Sequence, residues 1–167
     1  MVPTLVLHAQ LSRLLESDLR QDPLLQYVPL AEFSWWDAPY GVGQWTEEHS
    51  ARQRNVLARK KALIEAFARA NGLVVAGSAT PNPYVLPGTS LQRELELLVE
   101  AGLTPMQAIS AATQVAAEFL GQDARLGTLE VGKLADLVIL GGNPLEDIRQ
   151  IRQVEAVLRD GQTVWKK

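Results

Sequence analysis

Leu73-Val74-Val75-Ala76-Gly77-Ser78-Ala79-Thr80-Pro81-Asn82-Pro83 is the stretch on which the reading of this chain turns. Four apolar residues in a row, closed by a glycine, suit a strand buried on both faces, as strands of parallel sheets are. Residues 81–88 are proline-rich and read as a loop. Upstream lies a long helix. Thr46 is its N-cap, with Glu47 and Glu48 in the favourable first turn, and Asn71-Gly72 ends it, glycine being expected to take the left-handed cap. Val56, Leu57, Leu63, Ile64, Phe67 and Ala68 fall on one stripe of that helix. Arg52, Arg54, Arg59, Lys60 and Lys61 lie mainly outside the stripe and read as a solvated face. Further upstream, Leu5-Val6-Leu7 behind Pro3 gives a second buried strand, and Leu11, Leu14, Leu15 and Leu19 recur at helical spacing over residues 11–21.

Downstream, a helix is expected from Thr89 or Ser90, with Leu91, Leu95, Leu98 and Val99 on one face and Gly102 at its end. Thr104-Pro105-Met106-Gln107 supplies an N-cap, a first-turn proline and the glutamine of a capping box. A further capped turn is expected from Thr113 towards Gly121. The period then changes. Leu137-Val138-Ile139-Leu140 and Val154-Glu155-Ala156-Val157-Leu158 read as strands, and Asp160-Gly161 is a two-residue hairpin signal returning through Thr163-Val164-Trp165. The order strand–helix–strand–helix, followed by short helices and then strands, is that of an α/β fold with a small β appendage.

The 167 residues allow one ordinary domain, or a piece of one with an appendage. Hydrophobic residues make up 47% and charged residues 21%, as in an ordinary globular chain. A net charge of −3 recommends neither nucleic acid nor an anionic membrane as a partner. With no cysteine there is no disulfide, thiolate metal site or thiol nucleophile, which suits the cytoplasm as the expected location. The apolar start lacks a basic leader, so no signal peptide is expected, and no run approaches the ~18 apolar residues of a membrane span.

Five segments, taken in order, resemble the C-terminal part of the metal-dependent amidohydrolase superfamily, in particular its imidazolonepropionase-like and prolidase-like members. They are Gly77-Ser78-Ala79-Thr80-Pro81-Asn82-Pro83, where the family reads Gly-Thr-Asp and a loop; Pro87-Gly88-Thr89-Ser90-Leu91-Gln92-Arg93-Glu94-Leu95; Glu100-Ala101-Gly102-Leu103-Thr104-Pro105-Met106-Gln107-Ala108; Ala112-Thr113-Gln114-Val115-Ala116-Ala117; and Leu126-Gly127-Thr128-Leu129-Glu130-Val131-Gly132-Lys133-Leu134-Ala135-Asp136-Leu137-Val138. Residues 1–10 fit more loosely, as a penultimate barrel strand. The resemblance implies the last two strand–helix units of a TIM-type (β/α)8 barrel over residues 1–122. Residues 123–167 would then form part of a small β-sandwich domain that the family shares between its two chain ends.

The resemblance also implies a chemistry: metal-bound water cleaving C–N bonds. In the family a His-x-His pair and two further histidines hold zinc or another divalent metal, and an Asp on the last strand completes the site. This chain has two histidines, His8 and His49, no His-x-His, and Ala79 at the position of that Asp. No catalytic residue and no cofactor are therefore expected within it. Gln92 stands where related sequences often carry histidine.

His8 follows the first expected strand and is a candidate substrate or metal contact. The plainer reading is a partly buried histidine satisfied by backbone, favoured because no companion histidine lies near it in sequence. His49, in the first turn of the long helix, reads as surface. Ser78 lacks the motifs of an activated nucleophile and reads as a small residue at a strand end. Asn82 and Tyr84, on the loop after that strand, are candidates for ligand contact rather than chemistry, so His8, Ser78, Asn82 and Tyr84 make up the expected pocket. An aromatic cluster, Tyr27, Phe33, Trp35, Trp36, Tyr40 and Trp45, is either a lid or a partner surface.

Three functions follow: a truncated, degenerate family member inactive alone; one half of a split enzyme completed by an N-terminal polypeptide carrying the histidines; or a binding and assembly module using the aromatic loop of residues 27–45. A homo-oligomer or a complementing chain is the expected partner.

Overall fold

In a computed structural model, described here for residues 1–36 and 42–167, the chain runs through six α-helices and three strands. The side chains of Phe33, Ser34, Trp35 and Val42, and all of Tyr40, lie outside the described set, so that part of the aromatic cluster is not placed.

Leu5-Val6-Leu7 does not form the strand expected of it. These residues are instead the first turn of helix α1, Leu5–Leu11. The strand-like piece lies earlier, at Met1. The Met1 ammonium donates to Leu73 O at 2.8 Å, and Val75 N–H donates to Met1 O at 2.9 Å. That alternation about Val74 is the hydrogen-bond pattern of a parallel pair. A short apolar run has no periodicity to tell a buried strand from a buried helix, which is why the register slipped. Residues 73–76 are extended, with Val74 and Val75 buried. The expected helix over residues 11–21 is absent: α1 stops at Leu11, and a 3-10 turn at Leu19–Gln21 brings Leu19 inward with Leu14. A second 3-10 turn at Pro23–Tyr27 leads to helix α2, Leu30–Trp36.

Helix α3, Glu47–Arg69, has the expected Thr46 cap, but its capping box is closed by His49, whose ring nitrogen accepts from the Thr46 backbone N–H at 3.1 Å. His49 is thus a cap and more than bare surface. At the other end Asn71, at φ 59°, takes the left-handed position assigned above to Gly72. Gly72 is needed for close approach instead: a Cβ there would lie 2.4 Å from the Phe67 ring. The bonds Gly72 N–H to Phe67 O and Asn71 N–H to Ala68 O complete a Schellman ending. Of the predicted stripe Ile64 is fully buried, Leu57, Phe67 and Ala68 pack partly against the core, and Leu63 is exposed.

Helix α4, Thr89–Glu100, is the hub, packed by α1, α3, helix α5 (Pro105–Ala112) and a 3-10 turn at Ile148–Arg152. Hence it is buried nearly all round. Leu95, Leu97 and Leu98 are inside, while Leu91, expected on the apolar face, is half exposed. Gly102, at φ 100°, ends it as expected. Helix α5 carries the predicted capping box of Thr104 and Gln107 with Pro105 in its first turn. Thr113 does not cap helix α6, Gln114–Phe119; its hydroxyl donates back to Ile109 O at 2.9 Å.

The C-terminal strands form as read: β1 Leu137–Leu140, β2 Val154–Arg159 and β3 Gln162–Lys166, an antiparallel sheet in that order. Asp160 and Gly161 both have positive φ, as a type I′ turn requires. Asp136 Oδ1 accepts the Asp160 N–H at 2.7 Å and ties the turn to the start of β1. The main core joins α1, α3, α4, α5 and residues 148–151, and a second cluster gathers Leu14, Leu19, Trp36, Tyr84 and Leu86.

Candidate functional site

The loop after residues 73–76 carries most of the residues singled out from sequence. Ser78 Oγ lies 2.9 Å from Thr80 Oγ1, Asn82 Nδ2 donates to Ala79 O at 2.7 Å, and Ala79 itself sits at φ 58°. A hydroxyl partner cannot take a proton from serine as a base would, so Ser78 is held and not activated. Asn82 spends a donor on its own turn. Tyr84 is nearly buried, its ring 5.2 Å from that of Trp36, and its carbonyl accepts from Gln10 Nε2 at 2.9 Å. Trp36 Nε1 donates to Pro81 O at 3.1 Å. The near side of the aromatic segment is therefore fastened onto this loop as a small core.

His8 bonds to a different part of the chain from Ser78 and Asn82. Its Nδ1 lies 2.7 Å from Gln53 Oε1 of α3. Burial, helped by the nearby Lys60 cation, lowers its proton affinity below the ordinary histidine range, and the Gln53 bond only partly opposes this. The half-buried histidine satisfied by a neighbour is what the geometry holds, with a side chain rather than backbone as the partner.

Two glutamates on α4 went unmarked in the sequence. Glu94 has no exposed surface, and its oxygens accept the N–H groups of Leu5 at 3.0 Å and Val6 at 2.7 Å. Burial pushes this carboxyl upward, and the two N–H bonds and the Lys60 charge offset only part of that. A signal for it exists in the sequence. Glu94 is three residues after Leu91 and four before Leu98, on the stripe that should be apolar.

Glu96, 6% exposed, accepts from Arg152 Nε at 2.5 Å and from Arg93 at 2.9 Å. Arg93 and Lys61 both reach Glu100, so one chain of alternating charges crosses α3, α4 and the turn before β2. Burial alone would raise the Glu96 carboxyl; the bonds and charges of Arg152 and Arg93 together outweigh it and hold it below the ordinary range. A depressed carboxylate contributes stability that is present above its unfolded pKa and lost as pH falls through the folded one. Glu96→Gln is therefore expected to cost about 1–2 kcal/mol at neutral pH, in line with a charged hydrogen bond shared with partly exposed arginines. That difference from wild type should begin to fade below the ordinary glutamate value of about 4.3 and be lost as pH falls through the lower folded value. Urea midpoints at pH 7 and pH 3 decide this, and a difference that does not shrink in acid would contradict the assignment.

An open apolar groove of about 940 Å³ lies between α4, α5 and α6 on one side and the sheet on the other. Leu95, Ile109, Leu126, Val138 and Val157 line it, with Gln92 at its wall, where Gln92 Nε2 donates to Ile151 O at 3.4 Å. Sequence reading gave no hint of this groove, because its walls are brought together from segments far apart in the chain.

For a divalent metal the donor set does not fit. Among the described residues no three of His, Asp, Glu or Cys gather within reach of one ion, and Ala79 offers only a methyl group. Nor is any helix among them long and apolar enough to cross a membrane.

A helix-hub α/β body with a three-stranded antiparallel appendage is an architecture with known counterparts. The amidohydrolase family model matches residues 47–164, more than half of the chain. The chain belongs to the amidohydrolase family. It is 37% identical over 113 residues to an ochratoxinase of Aspergillus niger, a match covering 65% of this chain and 23% of that protein. It is 40% identical over 84 residues to an imidazolonepropionase of Symbiobacterium thermophilum, covering 50% of this chain and 19% of that one. A solved Xaa-Pro dipeptidase with methionine bound in its active site superposes with a TM-score of 0.64 at 25% identity, over 83% of this chain and 33% of the other. The chain thus spans about a quarter to a third of the ochratoxinase and the dipeptidase.

Proposed function

We propose that this chain is the C-terminal portion of an amidohydrolase scaffold that does not hydrolyse C–N bonds by itself. The single observation that carries the reading is Ala79. A methyl group stands where the resemblance calls for a carboxylate, and no described cluster of His, Asp, Glu or Cys makes up for it. The short parallel pairing of Met1 with residues 73–75, with α3 between the paired segments in sequence, supports the finer reading of residues 1–122 as the last two strand–helix units of a (β/α)8 barrel. The three-stranded sheet supports reading residues 123–167 as part of a β domain.

The test is elemental analysis of the purified chain together with assays on dipeptides and N-acyl amino acids. The expected result is no stoichiometric zinc, manganese or iron and no turnover. Ala79→Asp alone should not change it, since one carboxylate cannot replace a ligand set. One equivalent of tightly held metal, with turnover abolished by a chelator, would sink the proposal.

A second reading is favoured by the groove and by the open edges of the sheet. The chain is one half of a split enzyme, and a polypeptide bearing the metal histidines completes it. Restored metal binding and turnover on mixing with such a polypeptide would establish it. The same apolar surfaces support self-association of the chain when alone. Val131, Val138, Val164 and Trp165 are exposed around a sheet both of whose edges lack a neighbouring strand among the described residues. Sedimentation equilibrium at micromolar concentration should show a species heavier than the 18.3 kDa chain. A single monomer whose melt does not depend on concentration would show that the molecule closes its own core.

A further inference from the structure

Residues 1–6 are held by bonds arriving from three other parts of the chain. Residues 73–75 pair with Met1, Lys60 Nζ of α3 donates to Pro3 O at 2.9 Å, and Glu94 of α4 accepts from Leu5 and Val6. These bonds differ in where they act. Those of Met1 and Pro3 hold the extended piece. The Glu94 pair acts at the bend itself, where Thr4 adopts φ 50° and the chain turns into α1.

That bend has no support of its own. A helix start exposes N–H groups that usually find a side-chain cap, yet the Thr4 side chain makes no cap bond. A threonine in the left-handed region is disfavoured by about 1–2 kcal/mol. Water cannot stand in, because Glu94 is fully buried. The acceptor comes from 88 residues away in sequence, and it is negative, as the positive end of a helix favours.

We infer that Glu94 is the positioning residue of this segment: its carboxylate fixes the left-handed turn at Thr4, and through α1 it fixes the place of the His8 ring against Gln53. The inference holds independently of the proposed function, since it concerns bonds within the described chain. Lys60 of α3 is the charge that both Glu94 of α4 and His8 of α1 experience, so the three groups form one coupled set drawn from three helices.

The test is amide hydrogen exchange and histidine titration by NMR on the whole chain, wild type against Glu94→Gln. Glutamine keeps the volume but offers one acceptor oxygen to two donors. Leu5 and Val6 amides are expected to exchange roughly tenfold to a hundredfold faster, the range for an orphaned buried donor. The Ala108 and Ala111 amides of α5 should change far less. The His8 midpoint should move up towards the ordinary histidine value as the ring leaves its buried place. Unchanged Leu5 and Val6 protection, equal acceleration of every amide, or an unmoved His8 midpoint would each overturn the inference. If Glu94→Gln does not fold, the wild type carries the test. The ¹³C carboxyl signal of Glu94 and the Leu5 and Val6 amide protons should titrate with one midpoint, and separate midpoints would refute the contact.

Discussion

Leu5→Asp is expected to leave no folded protein in the soluble fraction. Leu5 is 0% exposed and belongs to the main core, beside Val6, Ile64 and Leu98. An aspartate there loses the apolar burial of leucine, about 1.5–3 kcal/mol, and places a charge where no water reaches. It also sets a second carboxylate beside that of Glu94, which the Leu5 N–H already binds at 3.0 Å. Like charges in one buried place oppose each other's ionisation, so one must protonate or the site must open. The sum, several kcal/mol, is set against a total stability of about 5–15 kcal/mol for a domain of this kind. Leu5→Met serves as the control and should cost less than about 1.5 kcal/mol. Solubility, far-ultraviolet circular dichroism and a urea titration give the readout. A soluble Leu5→Asp variant with a cooperative transition would show that this turn is not part of the core.

Trp36→Ala is expected to cost about 3–5 kcal/mol, the range for removing a buried aromatic. Trp36 is 1% exposed and is the largest side chain of the second cluster. Its ring faces Tyr84 at 5.2 Å, and its indole N–H satisfies Pro81 O. Deletion leaves a void under the loop of residues 81–86 and removes the indole donor of the Pro81 carbonyl. Tyr84, itself at φ 59°, loses a ring that packs against it. The fall in midpoint should be accompanied by faster proteolysis within residues 14–30, which the same cluster tethers through Leu14, Leu19, Leu25 and Val28. A loss below about 1 kcal/mol would show that the aromatic segment rests on the body without supporting it.

The glutamates two places apart on α4 respond to pH in opposite directions. Glu96 faces arginines and is held ionised, so its contribution disappears in acid. Glu94 faces backbone N–H groups in a dry place and is raised, so its contribution is complete below its unfolded pKa and declines as pH rises through the folded value. Their pH slopes have opposite sign, and only the Glu96 slope should vanish in Glu96→Gln.

What was legible in the sequence is what local chemistry dictates. The Thr46 and Thr104 caps, the first-turn Pro105, the Gly102 stop and the Asp160-Gly161 turn are set by residues within four positions of one another, and each is found. So are the three C-terminal strands, where apolar runs are bounded by turn residues. Family membership was legible too, because it is written in the order and spacing of short segments.

What only the tertiary structure decided is whatever depends on neighbours remote in sequence. Leu5-Val6-Leu7 is compatible with either a strand or a helix, and the choice falls to helix because a carboxylate of α4 receives its first N–H groups. Asn71 takes the left-handed position and Gly72 the tight one because the Phe67 ring folds back over the latter. Glu94 falls on the apolar stripe of α4, but Glu96 is buried only because α4 is packed on nearly every side, which its own periodicity does not announce. The partners of the candidate pocket residues are set in the same way: Ser78 and Asn82 bond within their own turn, and His8 bonds to α3. Local propensity is fixed by a few covalent neighbours, whereas burial, charge pairing and the place of a side chain are fixed by whichever distant segment packs against it.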